Sequence, residues 1–351
     1  MARQNSGQTG KRGKTGSTRP SISEVAGHAG VSIATVSRIV NGIQNKASAE
    51  TIARVKSSIR ELGYRPSGAG QALRRRESRL VAVIAANLAN PVMAAIAASA
   101  ETALREKGLV MVLCDSHDRP ELQDEYLREM QAQSVRGLVM LSAVPSPALA
   151  DILGAGEPVL FVNRKNPMGE TPAFVGIDNR SAAAEVAENF LARGIRRPLL
   201  IHASLGSSAT ADRVAAFTER YRRATAAQVT VLGDDRLDHL ELGYDMMRQH
   251  LDMAGTPPDA VFAMSDLIAY GASRVLHERG IDGVPIVGFD DNPLNDWIAP
   301  WLTSVRVPYA RFGLAISEAL ESLWRDETGF SLCLPHELVL RPATRPPETP
   351  M

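Results

Sequence analysis

Apolar side chains near the start of the chain recur at helical spacing. They form three groups between residues 21 and 64, and Gly30 and Gly63 stand where the first and third groups end. Glycine at such a place is typical of a helix C-terminus, and Pro66 would stop the third helix from resuming. The pattern predicts three short helices, whose inward-facing residues are Val25, Ala26, Ala29, Val36, Ile39, Val40, Ile52, Val55, Ile59 and Leu62.

From Leu80 onward, short apolar runs alternate with amphipathic segments. Repeated strand–helix–strand order is typical of parallel sheets that helices cover on both faces. Roughly 260 residues of this pattern exceed a usual single-sheet domain, so we expect two lobes. The predicted strands are residues 80–85, 109–114, 137–141, 159–162, 198–202, 260–264 and 285–289.

Serine residues precede the three predicted helices of the N-terminal region. Ser21 and Glu24 have the spacing of a capping box, in which each side chain accepts the other residue's backbone N–H. Ser32 and Ser48 stand at the starts of the second and third helices, where a hydroxyl can accept a free N–H.

The composition favours a protein with a large core and no membrane span. Of 351 residues, 44% are hydrophobic and 22% charged, and no apolar run reaches the roughly 18 residues that a span requires. The first twenty residues lack the apolar stretch of a secretory signal. Cys114 and Cys333 are far apart, so we expect two reduced thiols in a cytoplasmic protein.

Charge is distributed unevenly although the formal net charge is zero. Residues 1–79 contain fifteen Lys and Arg against four Glu, a net charge of +11, and the remainder carries −11. A basic head on an acidic body indicates a polyanionic partner for the head alone. A tail that merely aids solubility remains the alternative.

The second predicted helix has features of a DNA-reading helix. Ala26, Gly30 and Val36 have the spacing at which two helices of a helix-turn-helix pack closely. Arg38 is suited to guanine, whereas Ile33 and Ala34 are suited to a thymine methyl, and the Ser32 and Thr35 hydroxyls suit phosphates. An ordinary helical hairpin with a solvated face remains possible. The predicted exposed, DNA-contacting side comprises Ser32, Ile33, Ala34, Thr35, Ser37, Arg38 and Asn41.

The stretch from residue 21 to residue 66 resembles the DNA-binding head of the lactose-repressor (LacI/GalR) family. It contains AGVSIATVSRIVNG and LGYRP, with Glu24 in place of the usual Asp. The resemblance implies a hinge helix that orders on operator DNA. Leu73 would then be its minor-groove wedge, and Arg74 the cation at the groove edge. Gly68 and Gly70 depart from the Ala-rich family hinge, and each costs roughly 1 kcal/mol of helix propensity.

The resemblance continues through the rest of the chain and implies a two-lobed, periplasmic-binding-protein-like α/β core. Departures from the family pattern are Ala182, Ala216, Ile195 and a shortened segment between Ile281 and Gly288. The predicted domains are a disordered basic arm (1–20), a helix-turn-helix domain (21–66), a hinge (67–79) and an effector-binding and dimerisation core (80–345). Within the core, lobe 1 is about 80–177 and 309–335, and lobe 2 is about 178–306 and 336–345.

Effector-binding residues are carried over from the family by position. Arg213 matches an arginine that binds hydroxyls or a carboxylate, and Asp290 an acid that accepts hydroxyl hydrogen bonds. The other predicted contacts follow strands, where ligands bind in such sheets; each has a surface or helix-capping role as its alternative. They are Asn163, Arg164, Ser265 and Asp266, with Asp115 and Phe217 as weaker candidates.

The resemblance implies a transcriptional regulator, expected to be a repressor. We expect a homodimer, or a tetramer, on a pseudo-palindromic operator, with no cofactor and with a sugar, sugar acid or sugar phosphate as effector. The alternatives are a solute-binding protein of the same core fold and a sugar-processing enzyme. The sequence has no P-loop, no GxSxG and no metal-spaced His pair among its seven His. Whether the effector releases DNA or favours its binding is left open.

Overall fold

The computed structural model describes residues 20–40, 47–64, 78–225, 228–325, 327 and 329–341. The chain divides into two compact units, residues 1–77 and 78–351. Residues 1–19 of the predicted arm, most of the predicted hinge and the last residues of the predicted core lie outside the described residues.

The N-terminal unit contains three helices, as its periodicity predicts: α1 (Ile22–Ala29), α2 (Ile33–Val40) and α3 (Ala49–Leu62). The capping box is present, because Glu24 N donates to Ser21 Oγ and Ser21 N donates to the Glu24 carboxylate at 2.6 Å. Gly30 ends α1 at a φ of 63°, a left-handed conformation that glycine adopts without strain. The helices enclose a small core of Val25, Ala26, Ala29, Val36, Ile39 and Val55.

The first lobe of the larger unit contains a six-stranded parallel sheet, in the order β11-β5-β4-β3-β1-β2. Its strands are β1 (Leu80–Ala85), β2 (Val110–Asp115), β3 (Gly137–Met140), β4 (Val159–Val162), β5 (Phe174–Ile177) and β11 (Ser331–Leu334). Its helices are α4 (Pro91–Glu106), α5 (Pro120–Ala132), α6 (Pro147–Gly154) and α12 (Tyr309–Leu323).

The second lobe contains a six-stranded sheet in the order β12-β10-β9-β8-β6-β7, in which only β12 is antiparallel. Its strands are β6 (Pro198–His202), β7 (Thr230–Gly233), β8 (Ala260–Ala263), β9 (Ile286–Asp290), β10 (Thr303–Arg306) and β12 (Glu337–Val339). Its helices are α7 (Asn179–Ala192), α8 (Ser208–Ala224), α9 (His239–Ala254), α10 (Asp266–Glu278) and α11 (Asn295–Ile298).

The chain passes three times between the lobes: after β5, after β10 and after β11. The predicted fold class, a helical head with a two-lobed α/β core, is therefore confirmed. All seven predicted strands are present within one residue at each end. The strands that the pattern missed are short, and β7 and β12 have no fully buried residue.

Glycines bring α9 and α10 into close contact. A Cβ at Gly243 of α9 would lie 2.1 Å from the Ile268 carbonyl oxygen, and one at Gly271 of α10 would lie 2.1 Å from the Leu240 carbonyl oxygen. Any larger side chain would push the helices apart, so the two glycines hold their N-terminal ends side by side. Among the described helices, none is long and apolar enough to cross a membrane.

Candidate functional sites

The exposed side of α2 presents most of the residues expected to read DNA. Ser32, Ala34 and Arg38 are exposed, Ile33 is 48% exposed, and Thr35 is partly exposed. Ser32 Oγ accepts the Thr35 N–H at 3.2 Å, which satisfies a free donor at the helix start. An exposed isoleucine beside an arginine suits contact with a groove edge, where methyl groups and acceptors alternate.

Ser37 does not belong to this exposed side, contrary to the sequence prediction. It is 3% exposed, between the buried Val36 and the exposed Arg38. A helical step of about 100° from Val36 leaves Ser37 on the flank of the buried face, so periodicity alone did not decide its exposure. Asn41, Leu73 and Arg74 lie outside the described residues, and their DNA contacts remain predictions.

In the second lobe, Arg213 is a buried cation with fixed orientation. Its side chain projects from α8 and is 7% exposed. Nε donates to Asn179 Oδ1 at 2.7 Å, and Nη1 donates to the Met264 carbonyl at 3.1 Å. Both acceptors are neutral, and Nη2 has no hydrogen bond to a described residue. One nitrogen and the positive charge are therefore left for a ligand.

Asp290, at the end of β9, is the acidic group whose charge acts on Arg213. Burial, and after it the charge of Asp266, raises the pKa of Asp290 well above its usual value, whereas Arg213 opposes the rise. Burial lowers the pKa of Arg213 to about 10, so it stays protonated at neutral pH. The φ of Asp290 is 113°, and Tyr309 Oη donates to its carbonyl oxygen at 3.0 Å. A strained backbone held in this way is typical of a functional position.

Asp266 is buried, and its carboxylate is hydrogen-bonded within its own lobe. It is 1% exposed, and its carboxylate accepts hydrogen bonds from Ser304 Oγ (2.6 Å), Asn292 N (2.7 Å) and Asn295 Nδ2 (2.8 Å). Both oxygens are thus used inside the lobe. These contacts order the loop that follows β9, and direct contact of Asp266 with an effector remains a prediction.

Ser265 fulfils the helix-capping alternative. Its Oγ accepts the Ile268 N–H at 3.3 Å at the start of α10. The same oxygen lies 3.0 Å from Nδ1 of His239, the first residue of α9. Direct contact of Ser265 with an effector remains a prediction.

In the first lobe, Arg164 follows β4 and pairs with Asp118. Its Nη1 lies 3.0 Å from each Asp118 carboxylate oxygen, and Ser142 Oγ donates to the same carboxylate at 2.8 Å. Asn163, the preceding residue, has a left-handed φ of 64°. Its backbone N–H donates to the Val175 carbonyl, which fixes the turn at the end of β4.

Residues of the two lobes touch across the cleft between them. Lys165 N donates to Ser208 Oγ at 2.8 Å, and Lys165 Nζ lies 3.0 Å from the Asp212 carboxylate. Asn87 Nδ2 donates to the Leu237 carbonyl at 3.2 Å. The charge of Arg164 lowers the pKa of both Arg213 and His239, so the three groups act on one another in this closed cleft.

Four further residues of this cleft were not predicted: Asp118, Asn179, His239 and Tyr309. His239 follows β7 and Tyr309 follows β10, and neither strand was recognised from its pattern. Recognising those strands would have placed both residues at the carboxyl edge of the second lobe's sheet.

The two weaker candidates have other environments. Asp115 accepts the Leu88 N–H at 2.8 Å and thereby shapes the loop after β1. Phe217 is fully buried between Phe190, Tyr221 and Phe262, and its contact with an effector remains a prediction. In the part of the chain that the structure describes, no group of three or more His, Cys, Asp or Glu could hold a metal ion.

Known protein families match both the N-terminal helical unit and the two-lobed core. Residues 21–67 match the family described as bacterial regulatory proteins, lacI family, and residues 187–344 match the periplasmic binding protein-like domain. The transcriptional regulator CelR of Thermobifida fusca is 32% identical over 327 residues, which cover 88% of this chain and 93% of the relative.

Solved structures give the same result. The lac repressor dimer bound to operator and the anti-inducer ONPF superposes with a TM-score of 0.76 and 25% identity, over 93% of this chain and 99% of that one. A complex of CelR with cellobiose superposes with a TM-score of 0.67 and 29% identity, over 93% and 100% of the two chains. The chain therefore belongs to the LacI family of DNA-binding transcriptional regulators, which carry an effector-binding core.

Proposed function

We propose that this regulator is a cytoplasmic, homodimeric repressor whose operator affinity is controlled by an acidic sugar derivative, a sugar acid or a sugar phosphate, bound between the lobes. The observation that carries the proposal is Arg213, a buried guanidinium whose hydrogen bonds go to neutral oxygens and whose Nη2 is free among the described residues. A buried cation without an ion-pair partner is costly unless a ligand supplies the opposite charge.

The charges around Arg213 support an anionic effector. Arg164 is compensated by Asp118, and burial favours the neutral form of Asp290. The Asp290 carboxyl accepts hydrogen bonds from sugar hydroxyls when charged and can also donate one when protonated. The cleft therefore holds a buried guanidinium with an unused nitrogen beside a group suited to hydroxyls, the combination that a hydroxylated acid would satisfy.

The relatives support a carbohydrate-type effector and an operator-bound dimer. One solved neighbour holds cellobiose, and another is a dimer on operator DNA. The buried charge of Arg213, whose hydrogen bonds go only to neutral oxygens, is what favours an acid over a neutral sugar for this chain.

Calorimetry and thermal shift with matched ligands test the proposal. D-Gluconate and glucitol have the same carbon chain and differ in the carboxylate, and fructose 1-phosphate and fructose differ in the phosphate. We expect only an acid to raise the melting temperature, because a ligand at about 100 Kd adds about 2.7 kcal/mol of stability. The binding acid should then change affinity for an operator obtained by selection from random DNA. Equal binding of the neutral partners would overturn the acidic-effector proposal.

A further inference from the structure

We propose that His239 couples the binding of an acidic effector to the uptake of one proton, so that this regulator senses the acid and the pH together. The proposal rests on the function proposed above and assigns a charge-sensing role to a residue of the same cleft.

The position of His239 is set by two helix starts. It is the first residue of α9, after the N-cap Asp238, and it contacts Ser265, the N-cap of α10. Gly243 and Gly271 hold these helices together. Helix N-termini carry partial positive charge, which disfavours a second cation and favours an anion at the same place.

The hydrogen bond to Ser265 accommodates both protonation states of the imidazole. Ser265 Oγ already accepts the Ile268 N–H, so its own hydrogen is available to a neutral Nδ1. When Nδ1 gains a proton, it can donate to the second lone pair of the same oxygen after the hydroxyl rotates. Nε2 has no hydrogen bond to a described residue and is left for the effector.

The charges that face His239 keep it neutral in the free cleft. Burial, and after it the charge of Arg164, lowers the pKa of His239 to about 4; Asp238 opposes this, and Arg213 adds to it. The other charged groups nearby are already engaged: Asp118 pairs with Arg164, Arg236 pairs with Asp234 and Asp245, and Asp266 accepts three hydrogen bonds.

Burial is the largest cause of this low pKa, and the charge of Arg164 is the second. An anion among Arg164, Arg213 and His239 opposes the charge of Arg164, and its attraction for the imidazolium offsets the effect of burial. We expect the pKa of His239 in the complex to return towards the usual value of about 6.5. Between the free and bound values, binding takes up a proton from solvent, which is added to the imidazole. Affinity for the acid then falls with rising pH across this window and levels off above it, by about tenfold from pH 5.5 to pH 7.5. A neutral sugar leaves the pKa of His239 low and produces no such dependence.

Calorimetry at pH 5.5, in two buffers of different ionisation enthalpy, measures the proton uptake on binding of an acid. D-Gluconate stays ionised in this range and reports His239 directly. The phosphate of fructose 1-phosphate itself titrates near pH 6, so for this ligand the uptake by His239 is the difference between the unmodified protein and a His239 variant. We expect close to one proton for the full-length protein. In the H239Q variant, whose amide can still contact Ser265, we expect no uptake with D-gluconate and an affinity for it that hardly changes between pH 5.5 and pH 7.5. The matched control H277Q changes an exposed histidine near the end of α10 and should behave like the unmodified protein.

The free protein gives a second test that needs no effector. In a histidine-labelled NMR titration, the signal that is lost in H239Q should remain that of a neutral imidazole down to about pH 5. A signal that titrates above pH 6 overturns the proposal, as does proton uptake on D-gluconate binding that persists in H239Q. Binding of an acid without proton uptake overturns this inference and leaves the proposed function intact. Failure of every acid to bind counts against the proposed function and removes this inference with it.

Discussion

The guanidinium carbon of Arg213 lies 3.4 Å from the centre of the ring of Phe289. Phe289 directly precedes Asp290 in the chain. The ring face carries partial negative charge and gives the buried cation partial compensation without occupying its N–H groups. Phe289 thereby joins the helix that bears the cation to the strand that bears the acid. The cleft holds its positive group in place before any ligand arrives.

Replacing Arg213 should separate effector response from DNA binding. We expect Arg213→Ala to abolish the response to effector while operator affinity changes little, because the lost charge-assisted hydrogen bonds are worth roughly 1.5–3 kcal/mol. Effector affinity by calorimetry and DNA affinity by fluorescence anisotropy measure the two effects. The control Arg222→Ala removes an exposed arginine of the same helix and should change neither. Normal effector binding combined with lost DNA binding would make Arg213 a structural residue.

Arg38 is expected to read a base. Its exposed place on α2 predicts that Arg38→Ala weakens specific binding by roughly 1–3 kcal/mol and relaxes preference at one base pair per half-site. Arg60→Ala removes the same charge from an exposed position of α3 and should weaken operator and random DNA alike. Selection of binding sites from random DNA compares the two variants. An unchanged consensus for Arg38→Ala would show that Arg38 does not read a base.

Leu73 should act only on DNA. As a minor-groove wedge, it would contribute to the operator complex and not to the free protein. Leu73→Ala is therefore expected to weaken operator binding and to leave effector affinity unchanged, the reverse of the pattern expected for Arg213→Ala. Anisotropy and calorimetry on the same preparation compare them, and a loss of effector affinity in Leu73→Ala would contradict this role.

Asp266 should make the stability of the core depend on pH. Burial raises its pKa to about 6, so the native state binds this proton more tightly than the unfolded state does. The stabilising contribution of this carboxyl is thus present below its unfolded pKa of about 3.9 and declines as pH rises to about 6.

Urea unfolding of the unmodified protein and of Asp266→Asn measures this effect. The difference in unfolding free energy between them should favour the unmodified protein more at pH 4.5 than at pH 7. The two proteins share all other titrating groups, so the effects of those groups cancel in the difference. A difference that is constant with pH, or that grows with pH, would contradict the raised pKa.

The sequence by itself determined the elements that local patterns specify. Helical spacing with serine caps gave α1 to α3, and buried apolar runs located seven strands, because such patterns depend only on neighbours in the chain. The family resemblance identified Arg213 and Asp290 as candidates for the effector site. It also placed Ser265 and Asp266 correctly at the end of a strand, although it did not distinguish a capping or loop-ordering residue from one that meets a ligand.

Only the tertiary structure decided which of these groups act together. Ser37 became buried because the way α2 packs, and not its period, sets exposure at the flanks of a helix. The contact between His239 and Ser265 joins residues 26 positions apart, and Arg164 acts on both His239 and Arg213 from the other lobe. Burial and long-range contacts of this kind set the charges in the cleft, because the free energy of a buried charge depends on its surroundings in space and not on its neighbours in sequence.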